Sequence, residues 1–167
     1  MKAQMTEQII SQIVHSWTAQ NKAVSDFFNK YEDDVYLSEV APGRNRGIYL
    51  LAHLIATSDG LLPLFGIGEK LYPELEVIAR EPDQKTLTGF PPLSELKTYW
   101  ETVNTTLAGH FSKMTAEDWL SRHTKVSVED FAKEPQRNKL NVLLGRTVHQ
   151  SYHFGQMNLL TRKELVS

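Results

Sequence analysis

Two histidines near the C-terminus have the residue type and spacing best suited to chemistry. They are His149 and His153 in the run Thr147-Val148-His149-Gln150-Ser151-Tyr152-His153-Phe154-Gly155-Gln156. In a helix, four residues make just over one turn, so the two imidazoles project from one face about 40° apart around the axis. At this spacing two ring nitrogens can bind one metal ion. The pair leaves a second interpretation open, in which both rings are exposed or hydrogen-bonded to the backbone.

His53 is the strongest candidate for a third ligand. It lies in the most apolar part of the chain, where an unpartnered polar side chain would cost free energy on burial. Ala56, Thr57 and Gly60 follow at helical spacings, and their small side chains would leave room in front of the imidazole. A core histidine satisfied by a hydrogen bond is the alternative. The remaining histidines are better interpreted as solvated side chains than as metal ligands; they are His15, His110 and His123.

Two amides are candidates for assistance at this site. Gln156 lies one turn beyond His153 and could orient a ligand or bind substrate. Asn21 interrupts the apolar face of the first helix and could donate into the same cavity, or it could fix the register of packed helices. Gly145 and Gly155 flank the polar face of the last helix. Because glycine costs about 0.5–1 kcal/mol relative to alanine inside a helix, they suggest a close helix contact or space for a ligand.

Composition narrows the function classes. The 167 residues suit one domain, residues 1–167, with a sizeable core. The net charge of −2 gives no broad attraction to nucleic acid or to a membrane surface. There are no cysteines, so any metal must be bound by nitrogen and oxygen ligands. We identify no signal peptide and no run of about 18 apolar residues, and we expect a cytoplasmic protein.

Apolar residues recur at helical steps in four long segments, and strand-like alternation is almost absent. The segments are 6–32, 48–64, 94–114 and 138–162. Thr6 and Ser94 are the predicted N-caps of the first and third segments. The second is nearly all apolar, so it should be a central helix buried on several sides. In the fourth, five residues are expected to face the core: Leu140, Leu144, Val148, Tyr152 and Leu159.

The connections between these segments differ in length. Residues 69–92 form a long polar connection with room for one helical piece, and Asp33-Asp34 leads into another connection. Thr115 with Asp118, and Ser127 with Asp130, have the spacing of capping boxes that start short helices. The sequence therefore predicts an all-α protein. Its architecture is a four-helix bundle with a long connection between helices 2 and 3 and short extra helices before helix 4.

The histidine segments resemble those of the DinB family of damage-inducible bacterial proteins. The resemblance rests on Leu-x-His-Leu around His53 and on His-x-x-x-His followed by Gly-Gln at residues 149–156, and it extends over nearly the whole chain. It implies a four-helix bundle in which His53, His149 and His153 bind a divalent metal. Relatives in the wider superfamily are metal-dependent thiol transferases and a thiol-dependent isomerase. The substrate is not implied, because one fold hosts many reactions.

Three neutral imidazoles would leave a divalent ion its full charge and an open position, as in catalytic zinc sites. The expected activity is thiol (S-)transferase-like or hydrolase chemistry on a small molecule, with a low-molecular-weight thiol as a candidate partner. The alternative is a noncatalytic small-molecule-binding or stress-associated bundle protein. Zinc, nickel, iron and manganese all suit these ligands. Met157, Phe65 and Leu71 are candidates for the surface of a homodimer.

Overall fold

The structure is a computed structural model that describes residues 2–83 and 90–165. Its α-helices, in chain order, are α1 (Lys2–Phe28), α2 (Asp33–Leu37), α3 (Gly47–Asp59), α4 (Leu61–Phe65), α5 (Glu76–Arg80), α6 (Leu93–Phe111), α7 (Ala116–Leu120), α8 (Val128–Lys133) and α9 (Lys139–Met157). Pro73–Leu75 and Asn158–Leu165 are 3₁₀ helices. The described residues form two isolated β-bridges, Glu39 with Arg46 and Arg122 with Asn138, and no strand. The predicted all-α class is confirmed.

The four longest helices, α1, α3, α6 and α9, pack against one another in pairs. α1 packs against α6 and α9, and α3 packs against the same two helices. The two helices that carry the candidate ligands, α3 and α9, are therefore in direct contact. Trp17 of α1 and Phe111 of α6 illustrate the packing, with ring centroids 5.0 Å apart in an edge-to-face arrangement.

The central position predicted for the second long helix is confirmed. All residues of α3 are buried except His53 and Thr57. These two are half-buried and four residues apart, so they lie on one face of the helix, which is less buried than the others. At the start of the helix, a Cβ on Gly47 would lie 2.8 Å from the carbonyl oxygen of Tyr36, so only glycine fits.

The prediction that no segment is long and apolar enough for a membrane helix is wrong for one segment. Residues Gly47–Phe65 meet that criterion by length and hydropathy. However, 72% of the most apolar window is buried inside the structure, as in the core helix of a soluble protein. The hydropathy of this segment is high because neighbouring helices cover α3 on all sides but one.

Several predicted helix starts need correction. α1 is already helical at Lys2, so Thr6 lies inside it, and Asp33 begins the short helix α2 instead of a connection. α6 begins at Leu93 after the extended Pro92, which leaves Ser94 inside the first turn. Thr115 and Asp118 form the predicted capping box. Ser127 is confirmed as an N-cap, since its side chain accepts a hydrogen bond from the backbone of Asp130, and this is one of the two bonds of a capping box.

α9 turns a different face toward the core than the sequence predicts. Leu144, Val148, Tyr152 and Leu159 are exposed, and Leu140 is half-buried. The buried residues of α9 are Leu143, Gln150, His153 and Met157. Hydrophobic periodicity fails here because two of the four core-facing positions are polar. Met157 and Phe65 are buried as well, which removes both from any dimer surface, while Leu71 is exposed.

The long connection folds back onto α3. The buried carboxylate of Asp59 accepts hydrogen bonds from the backbone of Leu71 (2.9 Å) and Tyr72 (2.8 Å). The Tyr49 hydroxyl donates to the carbonyl oxygen of Ile78 at 3.2 Å. These bonds fix the 3₁₀ turn and α5 against the helix that carries His53, so the connection forms part of the wall around the site.

Candidate metal centre

His53, His149 and His153 converge on a common point. The Nε2 atom of His149 lies 3.1 Å from Nε2 of His53 and 3.0 Å from Nε2 of His153. The ligand atoms of the three rings all lie within 4.8 Å of one another. His15, His110 and His123 are not part of the cluster. Of the six histidines, the structure thus brings together the three that were selected from the sequence.

The distances suit a single metal ion. Bonds of 2.0–2.1 Å from zinc to histidine nitrogen, at a tetrahedral angle, place ligand atoms about 3.3 Å apart. Two of the three Nε2 separations come within a few tenths of an ångström of that value. Nitrogen atoms this close either share protons or share a cation. The residues therefore fit the divalent metal that the sequence predicts.

Tyrosine rings lie next to two of the imidazoles. The Tyr49 ring stacks on His53, with centroids 6.1 Å apart and an interplanar angle of 18°. The ring of Tyr152 lies 5.1 Å from that of His153. Tyr49 is buried and Tyr152 is exposed, so only Tyr152 lies at the protein surface.

Gln156 fixes the tautomer of His153. Its side-chain oxygen Oε1 lies 2.8 Å from Nδ1 of His153, and its amide nitrogen donates to the Tyr152 hydroxyl at 3.3 Å. Because Oε1 can only accept, Nδ1 carries the proton and the neutral ring directs the Nε2 lone pair toward the cluster. Gln156 therefore has the supporting contact with a ligand that its position in the sequence suggested. In contrast, Nδ1 of His149 is buried and has no hydrogen-bond partner among the described residues.

Burial keeps two of the rings uncharged at neutral pH. It lowers the pKa of His149 from 6.5 to about 4, with smaller contributions from the charges of His153 and Arg146. Burial also lowers the pKa of His153, while the hydrogen bond to Gln156 acts in the opposite direction. Neutral imidazole is the form that binds metal, so both rings are ready to act as ligands without first losing a proton.

Asn21 lies in a different environment from the histidines. Its side-chain oxygen accepts a hydrogen bond of 2.9 Å from the buried amide of Gln150, across the contact between α1 and α9. This bond joins two helices at a polar position in their interface, which agrees with the register interpretation of Asn21. Gly145 and Gly155 make no close helix contact, because a Cβ at either position would meet nothing within 4 Å.

A cavity begins one helical turn from the histidines, next to the less buried face of α3. Its volume is about 340 Å³, and it is lined by Ala56, Thr57, Gly60, Pro63, Leu64, Lys70, Glu76, Thr124, Lys125 and Arg146. The sequence predicted the small residues in front of His53. It did not predict Arg146, although its position three residues before His149, on the same face, was a usable signal.

The fold and the site together define a helical protein with three histidines that could bind a metal ion. No family model matches the chain, and no curated protein is significantly similar to it in sequence.

Proposed function

We propose that this protein is a DinB-like four-helix-bundle enzyme that binds a divalent metal through His53, His149 and His153. Its proposed activity is transfer of a low-molecular-weight thiol to a small electrophilic substrate. The observation that carries the proposal is the meeting of three Nε2 atoms from two separate helices. The contacts of α1 and α3 with both α6 and α9 support the bundle arrangement.

The ligand set favours an open, catalytic site. Three imidazoles contribute no negative charge, so the ion keeps its full formal charge and a position for another ligand. A bound divalent ion supplies Lewis-acid chemistry, lowering the pKa of a thiol or a water at that position. Among the described residues, no carboxylate joins the cluster.

A thiol suits this site better than water does. A free thiol has a pKa of about 8.5, against 15.7 for water, so a much smaller shift ionises it near neutral pH. No general base among the side chains is then required. In the proposed reaction, the thiolate sulfur forms a bond to the electrophilic carbon. The leaving group departs with the electrons of the broken bond, and the thiol proton passes to solvent.

Elemental analysis tests the metal site directly. Protein made without an affinity tag and incubated with zinc, nickel, iron or manganese should retain about one ion per chain after desalting. His53→Ala and His149→Ala should lose it, because each removes one of three ligands. His15→Ala is the matched control, since His15 is exposed on α1. Retention of the metal by both ligand variants would refute the assignment.

A reaction panel tests the activity. Metal-loaded protein is mixed with small thiols and alkyl or epoxide electrophiles, and loss of free thiol is followed against the His53→Ala variant. Metal-dependent consumption of thiol is the expected result. If zinc binds and no pair of reactants turns over, the protein is the noncatalytic binding protein that the sequence left open.

A further inference from the structure

Arg146 is a cation that has no counter-ion among the described residues. It lies on α9 three residues before His149, is half-buried, and lines the cavity described above. Its Nε atom is buried and has no hydrogen-bond partner among the described residues. Burial lowers the pKa of its guanidinium, which means that the surroundings disfavour the charge. A desolvated guanidinium whose Nε–H has no partner is costly unless an anion pairs with it.

The other charged residues of the cavity do not supply that anion. Glu76 pairs with Lys70 at 2.8 Å. Lys125 is exposed at the cavity wall, and in the described part of the chain no carboxylate pairs with either Lys125 or Arg146. Three cations against one carboxylate give the lining a formal charge of +2. A metal bound by three neutral histidines would make the whole region more positive still.

The cavity lies one helical turn from the histidine cluster along both α3 and α9. Thr57 follows His53 by one turn of α3, and Arg146 precedes His149 by one turn of α9, so both helices continue from the cluster into the cavity. Ala56, Pro63 and Leu64 give the space between the charged groups an apolar wall.

We propose that this cavity is a subsite for the anionic group of the substrate, a carboxylate or a phosphate paired with Arg146 and assisted by Lys125. Arginine suits both groups because its planar fork can donate two parallel hydrogen bonds. The inference rests on the proposed function, because it requires the reactive carbon of the same molecule to reach the histidine cluster. The anion and that carbon are then separated by about one helical turn, roughly 5–6 Å. A cavity of about 340 Å³ accommodates a small organic anion of this kind.

Binding of simple anions to metal-free protein tests the subsite without relying on turnover. Ligand-observed NMR is used with succinate, inorganic phosphate and the neutral analogue succinamide. Wild-type protein should bind succinate or phosphate but not succinamide, and the preferred anion distinguishes a carboxylate from a phosphate subsite. Arg146→Gln should weaken that binding at least about tenfold. Arg44→Gln removes the same charge from an exposed position outside the cavity and should bind as the wild type does.

The outcomes separate this inference from the proposed function. His53→Ala should lose the metal but still bind the anion, while Arg146→Gln should keep the metal and lose the anion. Binding of neither anion by the wild type, or equal binding by Arg146→Gln, would overturn the subsite whatever the metal result. If Arg146→Gln does not fold, Arg146→Lys replaces it, because lysine keeps the charge and lacks the planar fork. Anion affinity unchanged in Arg146→Lys and in Lys125→Gln would also overturn it.

Discussion

The Oε1 atom of Gln156 lies 2.8 Å from Nδ1 of His153, one helical turn away, and this contact directs Nε2 of the ring toward the other two histidines. Loss of such a partner typically costs 10–100-fold in metal affinity, because the ring loses its fixed tautomer and orientation. We therefore expect Gln156→Ala to bind zinc about tenfold more weakly, measured by competition with a chromophoric chelator. Gln156→Glu is the matched variant and should retain affinity, since its carboxylate also accepts from Nδ1. Equal affinity in wild type and Gln156→Ala would show that the contact has no part in the site.

Asn21 and Gln150 form a second polar contact, which we expect to stabilise the protein without affecting the metal. Asn21→Leu removes the acceptor of the buried Gln150 amide, so the free energy of unfolding should fall by about 1–3 kcal/mol. The double variant Asn21→Leu/Gln150→Leu should lose less than the sum of the two single variants, because no buried amide is left unpaired. Urea unfolding of metal-free protein measures these changes. A selective loss of zinc affinity in Asn21→Leu would instead place Asn21 in the site.

The lowered pKa of His149 makes the stability of the metal-free protein depend on pH. In the unfolded chain this histidine takes up a proton near pH 6.5, whereas in the folded protein it does so only near about 4. The unfolded state therefore binds more protons between these values, and stability is lost as pH falls through this range. Urea unfolding at pH 7 and pH 5 should show the loss, and His149→Gln should show a smaller one. An identical pH dependence in the variant would contradict the cause that we assign.

Gly155 lies on an exposed part of α9 where an added methyl group would meet nothing within 4 Å. Gly155→Ala should therefore raise the free energy of unfolding by about 0.5–1 kcal/mol through helix propensity alone. Gly47→Ala is the opposite case and should destabilise, because its methyl group would lie 2.8 Å from the carbonyl oxygen of Tyr36. Thermal unfolding of both variants measures the contrast. A destabilised Gly155→Ala would indicate that the helix contact anticipated from the sequence forms after all.

The sequence predicts the helices where apolar periodicity reflects the core. α6 is an example, since the apolar residues at helical steps in its sequence, Leu96, Trp100, Val103, Leu107 and Phe111, are all buried. Apolar periodicity fails for α9. The core side of that helix carries Gln150 and His153, whereas its exposed side carries Val148 and Tyr152. Hydrophobicity alone selects the wrong face when buried polar groups are stabilised by hydrogen bonds or serve a site.

The sequence predicted the histidines of the site but not all of the residues that surround them. The histidines were selected by type and spacing, and the room in front of His53 followed from the small residues one turn further on. Arg146 was missed because its significance depends on which charged groups lie beside it in the described part of the fold, and segments distant in sequence determine that. The contact of Asn21 with Gln150 was missed for a similar reason, since it requires the relative rotation of α1 and α9 to be known.

The coordination of zinc in the loaded protein tests the central claim most directly. X-ray absorption at the zinc edge counts imidazole ligands and measures their distances. We predict three histidine nitrogens at about 2.0–2.1 Å in the wild type and in His15→Ala, whereas His53→Ala should retain too little zinc after desalting to give this spectrum. A spectrum with fewer than three imidazoles in the wild type, or one that does not change in His53→Ala, would contradict a metal centre shared by α3 and α9.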